Sequence, residues 1–130
     1  MGKISFEIQN YVESLSEKGL THYLMDATLK CDDVIETVSE YGFDMVHSGV
    51  IPPNPSELLM SDRFQELINY GKEHYDFVIV DTPPILLITD SLVLLSKVDR
   101  GILVMNTQKA TKQGIQYLED VLSQNNLNYV

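Results

Sequence analysis

Basic residues are scarce in this chain. Nine Lys and Arg stand against nineteen Asp and Glu, for a formal net charge of -10 and a sequence pI near 4.5. Nucleic-acid binding needs a basic footprint and anionic bilayers attract cationic segments, so both partners are argued against. Partners are expected to be neutral, basic, or met through a local patch. Cysteine is nearly absent too. Cys31 is the single thiol, which leaves no internal disulfide and fits a reducing compartment. No activating base is identifiable near it, which argues against a nucleophile. His22, His47 and His74 are far apart in sequence and lack the short spacings of zinc ligands.

Long apolar runs are missing as well. The longest apolar region, Ile85 to Val98, is broken by Asp90 and Lys97 and falls short of the ~20 apolar residues that span a bilayer. No direct membrane insertion is expected. Gly2-Lys3-Ile4-Ser5-Phe6 leads into polar residues instead of a secretory apolar segment. Phe6 stands where a myristoylation signal carries Ser or Thr. A cytoplasmic chain, or a cytoplasmic fragment of something larger, is the expectation. One further absence bears on chemistry: no phosphate cradle of the form G-x-x-x-x-G-K-[ST] occurs in the sequence.

What is present suits one domain at most. The 130 residues are 44% hydrophobic and 22% charged, ordinary values for a soluble chain with a single core. Phe77-Val78-Ile79-Val80-Asp81 is an apolar, largely β-branched run ending in an acid. It predicts a buried parallel strand with a carboxylate at its C-terminal tip, the edge where ligands of open α/β sheets gather. Pro83 and Pro84 cannot donate to a ladder and end the strand near Asp81.

Other elements follow from periodicity and caps. Residues 5–17 predict a helix, and Leu20 to Met25 and Asp32 to Tyr41 predict two short ones around a polar bend. Phe43 to His47 alternates and runs into Ser48-Gly49, a strand entering a loop. Asn54, Pro55 and Glu57 form an N-terminal helix signal. Met60, Phe64, Leu67 and Ile68 then recur on one face of a helix running to about Glu73. A helix from near Asp90, a strand over Gly101 to Met105, an amphipathic helix over Thr111 to Gln124 and the opening of a strand at Leu127 to Val130 complete the reading. Strands alternating with helices predict an α/β fold with a parallel sheet and helices on both faces.

The segments Gly49-Val50-Ile51-Pro52-Pro53-Asn54-Pro55-Ser56-Glu57-Leu58-Leu59, Arg63-Phe64 and Tyr75-Asp76-Phe77-Val78-Ile79-Val80-Asp81-Thr82-Pro83-Pro84 together resemble the bacterial tyrosine kinases. Those are cytoplasmic ATPase-like domains of capsule and exopolysaccharide machines. Gly19-Leu20-Thr21-His22-Tyr23-Leu24 and Thr89-Asp90-Ser91 follow the same family order. The resemblance covers about residues 1–130, read as a partial domain, and implies an incomplete P-loop NTPase-like sheet. It further implies Mg²⁺ and ATP as cofactors of the complete family. Asp81 would be the third-motif acid that helps hold Mg²⁺, serving as catalytic, cofactor and metal residue, with Thr82 beside it at the cofactor. Asp90 matches a recurrent acid that helix capping already explains.

The departures limit what the resemblance implies. The phosphate loop with its Lys, which would precede Met1, is absent from the sequence, as is the second-motif Asp. Met1-Gly2-Lys3 with Ser5 resembles the remnant of a segment just downstream of that Asp. The seven tyrosines are dispersed, with no phosphoacceptor cluster. A triphosphate is a polyanion that requires backbone N–H groups and a Lys, so no cofactor is expected to bind tightly to this chain alone. Loss of the central phosphate-loop strand would leave apolar strand edges unpaired and favour self-association. Three functions compete: a catalytically incomplete kinase domain, a non-catalytic module docking on an intact kinase or membrane co-polymerase subunit, and an ATPase completed by a second polypeptide. The first is favoured. Location at the inner membrane would come through a partner.

Overall fold

The structure, a computed structural model, describes residues 3–6, 18–82, 90–106, 108, 110–124 and 129–130. The chain divides into two compact units, Met1–Pro83 and Pro84–Val130.

The first unit is built on a four-stranded sheet in the order β2-β3-β1-β4. β4 (Phe77–Val80) is the strand expected from its β-branched run. It runs parallel to β1 (Lys3–Phe6), with Lys3 opposite Phe77 and Phe6 opposite Val80. β1 is parallel on its other side to β3 (Phe43–Met45), through Ile4 with Asp44 and Ser5 with Met45. β2 (Glu36–Val38) closes the far edge antiparallel to β3. The α/β class therefore holds, while the sheet is mixed and not wholly parallel.

Two sequence expectations change here. Ser5 and Phe6 belong to a strand, not a helix; the rest of the expected helix, 7–17, lies outside the described residues. Lys-Ile-Ser-Phe alternates with a period of two, the strand period. β1 covers one side of β4, which is the edge strand on its other side among the described residues. Asp32 to Tyr41 is not a helix either. A 3₁₀ turn at Cys31–Asp33 leads into β2, and Tyr41 and Gly42 donate their N–H groups back to Val38 O at 3.1 and 3.0 Å. The β-branched Thr37 and Val38 prefer extended backbone, and the hairpin partner realises it.

α3 (Asp62–His74) packs against β4, and α1 (Leu20–Met25) and α2 (Pro55–Met60) pack against α3 and each other. The single helix expected from Pro55 to Glu73 is broken at Ser61, whose extended backbone ends α2 and whose hydroxyl accepts from Phe64 N to start α3. Met60 consequently leaves the predicted apolar face and is exposed, whereas Phe64, Leu67 and Ile68 are buried. Asn54 precedes α2 as expected but makes no side-chain cap; its amide donates to Glu57 Oε2 at 2.9 Å instead. Tyr23, Val34, Val46 and Leu67 form the core, with Val78 and Val80 packed against it. β4 is not buried on both faces: Phe77 and Ile79 are 66% and 47% exposed, so the strand alternates like a one-sided one.

The second unit contains α4 (Asp90–Leu95) and α5 (Lys112–Gln124), both near their expected bounds. Leu94, Leu118 and Leu122 are buried. The strand expected over Gly101 to Met105 is, among the described residues, a single parallel bridge between Gly101 and Tyr129. Leu103 N donates to Val130 O at 3.0 Å and Val130 N to Gly101 O at 2.9 Å. Only two partner residues are described there, too few for a ladder. The expected Thr82-Pro83-Pro84 loop lies mostly outside the described residues, which resume at Asp90.

Candidate functional site at the carboxyl edge of the sheet

Parallel strands bring their C-terminal ends to one edge, and here β3 and β4 deliver His47-Ser48-Gly49 and Asp81-Thr82 to it. Asp81 is exposed just beyond β4, and Thr82 is half-buried.

The loop after β3 is fastened to the start of α1. Leu20 N donates to His47 O at 2.6 Å and Thr21 N to Ser48 O at 3.1 Å. The buried Thr21 hydroxyl lies 2.9 Å from Ser48 O and 2.7 Å from Val50 O. His22 Nδ1 accepts from Gly19 N at 3.1 Å. The backbones touch at two glycines. A Cβ on Gly19 would stand 2.7 Å from both Gly49 N and His47 O, and Gly49 itself has φ of +77°. Only glycine serves both demands. His47, buried, places Nε2 3.2 Å from Glu36 Oε2, off the line of a hydrogen bond.

Arg63 ties the same region to α3. Its Nη2 fans across three carbonyls, Tyr23 O, Asp26 O and Leu29 O, at 3.0, 3.1 and 2.7 Å. The guanidinium carbon lies 3.9 Å from the centroid of the Tyr23 ring. Burial, then the hydrogen bond from Cys31, holds the Tyr23 phenol well above its ordinary range. Two further phenols are held by acids. Tyr75 donates to Asp44 Oδ2 at 2.6 Å, and burial followed by that bond raises it strongly. Tyr70 donates to Asp32 Oδ1 and is pushed up to about 12, chiefly by that bond. Sequence reading noted Arg63-Phe64 without a role and missed the two Tyr–Asp pairs; residues that meet across 31 and 38 positions leave no local periodic trace.

These residues do not by themselves fit a magnesium nucleotide. No group of three His, Cys, Asp or Glu able to hold a metal occurs among the described residues. The strand beside β4 is β1, and the sequence that follows it, Glu7 to Lys18, contains no glycine and opens on an acid. Lys3 pairs with Phe77 at the opposite end of β4, roughly 13 Å from Asp81 at the usual strand rise.

The α/β sheet with an acid just beyond β4 is similar to the P-loop NTPase-like fold of the solved kinase domain described below. No family model matches the chain. Over 108 residues the sequence is 42% identical to tyrosine-protein kinase Etk of Escherichia coli K12, covering 80% of this chain and 15% of that protein. It is 34% identical over 116 residues to putative tyrosine-protein kinase CapB of Staphylococcus aureus, covering 88% of this chain and 50% of that one. The solved kinase domain of Escherichia coli Etk superposes with a TM-score of 0.85 at 32% identity, covering 98% of this chain and 52% of that domain. The chain belongs to the bacterial tyrosine kinases. It spans about half of that solved kinase domain and of CapB, and a smaller share of Etk.

Proposed function

We propose that this chain is a kinase-domain segment of exopolysaccharide or capsule synthesis that keeps the acid-bearing strand but turns over no ATP alone. Asp81 is the acid that would direct Mg²⁺ in a complete site, with Thr82 beside it at the nucleotide. In that setting helices would cover both faces of the sheet. The observation that carries the reading is the neighbour of β4: the paired strand β1 is followed by Glu7 and no glycine until Gly19. Mg²⁺ keeps few protein ligands and relies on phosphate oxygens, so Asp81 without a phosphate cradle is a weak site.

The test is calorimetry and ATP turnover on purified residues 1–130 with Mg²⁺. Neither tight ATP uptake nor Mg²⁺-dependent turnover is expected, and either one refutes the proposal. A second reading, a binding module for a kinase or co-polymerase subunit, draws on the exposed Phe77 and Ile79 of β4. Apolar side chains that stay on the surface favour self-association or a partner. Co-purification with such a subunit, lost in a Phe77→Ser chain, is its expected signature. A cytoplasmic location fits both readings, and among the described residues no helix is long and apolar enough to cross a membrane.

A further inference from the structure

The loop Ser48–Pro53 has a fastened backbone and uncovered side chains. Val50 O lies 2.7 Å from the buried Thr21 hydroxyl at one end. At the other, Pro55 opens α2 and Leu58 N donates to Asn54 O at 3.3 Å. Pro52 and Pro53 fix φ in between and have no N–H to satisfy. Ile51 is nevertheless 95% exposed, and Val50 is exposed beside it. An apolar proline segment of low conformational entropy suits an aromatic face. No Lys, Arg, Asp or Glu occurs from Met45 to Ser56, the longest such stretch in a sequence of net charge -10. An acidic partner meets least repulsion there.

An aromatic face of that kind lies at the other end of β3. Tyr41 is 61% exposed in the turn between β2 and β3, and its ring stacks on Phe43 with centroids 6.2 Å apart and planes at 21°. Val38 pairs with Phe43 across the antiparallel hairpin, so the turn sits at the amino end of β3, whereas Ser48–Pro53 follows its carboxyl end. The extended backbone from Phe43 to His47 holds the two apart by roughly 13 Å. They cannot meet within one chain.

We propose that Ile51-Pro52-Pro53 of one copy docks on the Tyr41–Phe43 pair of a second copy of this chain. The two surfaces differ and lie at opposite edges of the sheet, so the contact runs head to tail and leaves each copy one free half for the next. A neutral loop against uncharged rings leaves the net charge of the chains as the opposing force. Salt screens that repulsion. Association therefore strengthens as salt rises, the reverse of a contact held by ion pairs.

The test is sedimentation velocity over a concentration series, on the full chain carrying Phe77→Ser and Ile79→Thr so that the exposed side of β4 does not contribute. This background should associate, and more strongly at high salt. Adding Ile51→Asp or Tyr41→Ser should each weaken association at least about tenfold, as for anchors at the centre of a contact. An equimolar mixture of those two variants should form a one-to-one dimer and nothing larger, because one retains only the ring pair and the other only the loop. Circular dichroism checks folding, and Tyr41→Gln replaces Tyr41→Ser if the latter does not fold. A background chain that stays monomeric, association unchanged by either substitution, or a mixture that does not pair overturns the proposal. Neither nucleotide nor another subunit enters the assay, so its outcome is separate from the ATP and subunit-binding readings.

Discussion

Arg63 sits over the ring of Tyr23 while bonding the Tyr23 carbonyl, so one guanidinium grips both the side chain and the backbone of the same buried residue. The contact joins α3 to the end of α1 and to the bend at Asp26 and Leu29. A planar fork with several donors can do this; a lysine ammonium cannot.

Arg63→Ala should destabilise the chain by about 2–4 kcal/mol, since three carbonyls lose a charged donor and the ring loses its cation. Arg63→Lys should recover less than half of that loss. Urea denaturation of the three proteins, read by circular dichroism, checks the order.

Gly19→Ala places a methyl 2.7 Å from backbone atoms of Gly49 and His47, and backbone gives way less readily than a side-chain end. A cost of about 1–3 kcal/mol is expected, as for overpacked cores. Thr21→Val, which removes the hydroxyl between Ser48 O and Val50 O, should cost about 1 kcal/mol. Proteolysis within Ser48–Pro53 should accelerate in both variants, because the same loop is released.

The raised phenols set an alkaline limit. Tyr70 moves from 10.0 up to about 12, and Tyr23 and Tyr75 also shift upward. The folded state holds these protons more tightly than the unfolded state. Their contribution is therefore complete below pH 10 and declines as pH climbs from 10 through the folded values. Stability measured in that window should fall for the natural chain, and less steeply for Tyr75→Phe. A slope unchanged by that substitution would contradict the assignment.

Phe77 and Ile79 lie on the exposed side of β4. Phe77→Ser with Ile79→Thr should reduce concentration-dependent association in sedimentation while leaving the unfolding midpoint within about 0.5 kcal/mol, as expected for surface changes. Unchanged association would remove this face as its cause.

Much of the fold is legible in the residues because its causes are local. The β-branched run at Phe77–Val80 gives β4, the period of Phe64, Leu67 and Ile68 gives α3, and Ile115, Leu118 and Leu122 give α5. The misreadings share a different cause. β2 looks helical until its hairpin partner is known, and β1 depends on two strands some forty and seventy positions away. The break at Ser61 follows from a serine that caps one helix while its hydroxyl donates to Leu58 O at 2.5 Å. The position of Asp81 and Thr82 just beyond β4 is legible from the apolar run, while their roles belong to the proposal. The Arg63 fan was not, because its acceptors are backbone carbonyls and carry no residue identity.

The meeting of Gly19 with Gly49 also restricts how the polypeptide can diverge. Two bare backbones pressed together leave no slack, so neither segment can gain or lose a residue, or acquire a bulkier one, on its own. Natural variants that keep this architecture should change the two places in concert, and a homologue with a large side chain at one should show a rerouted loop at the other.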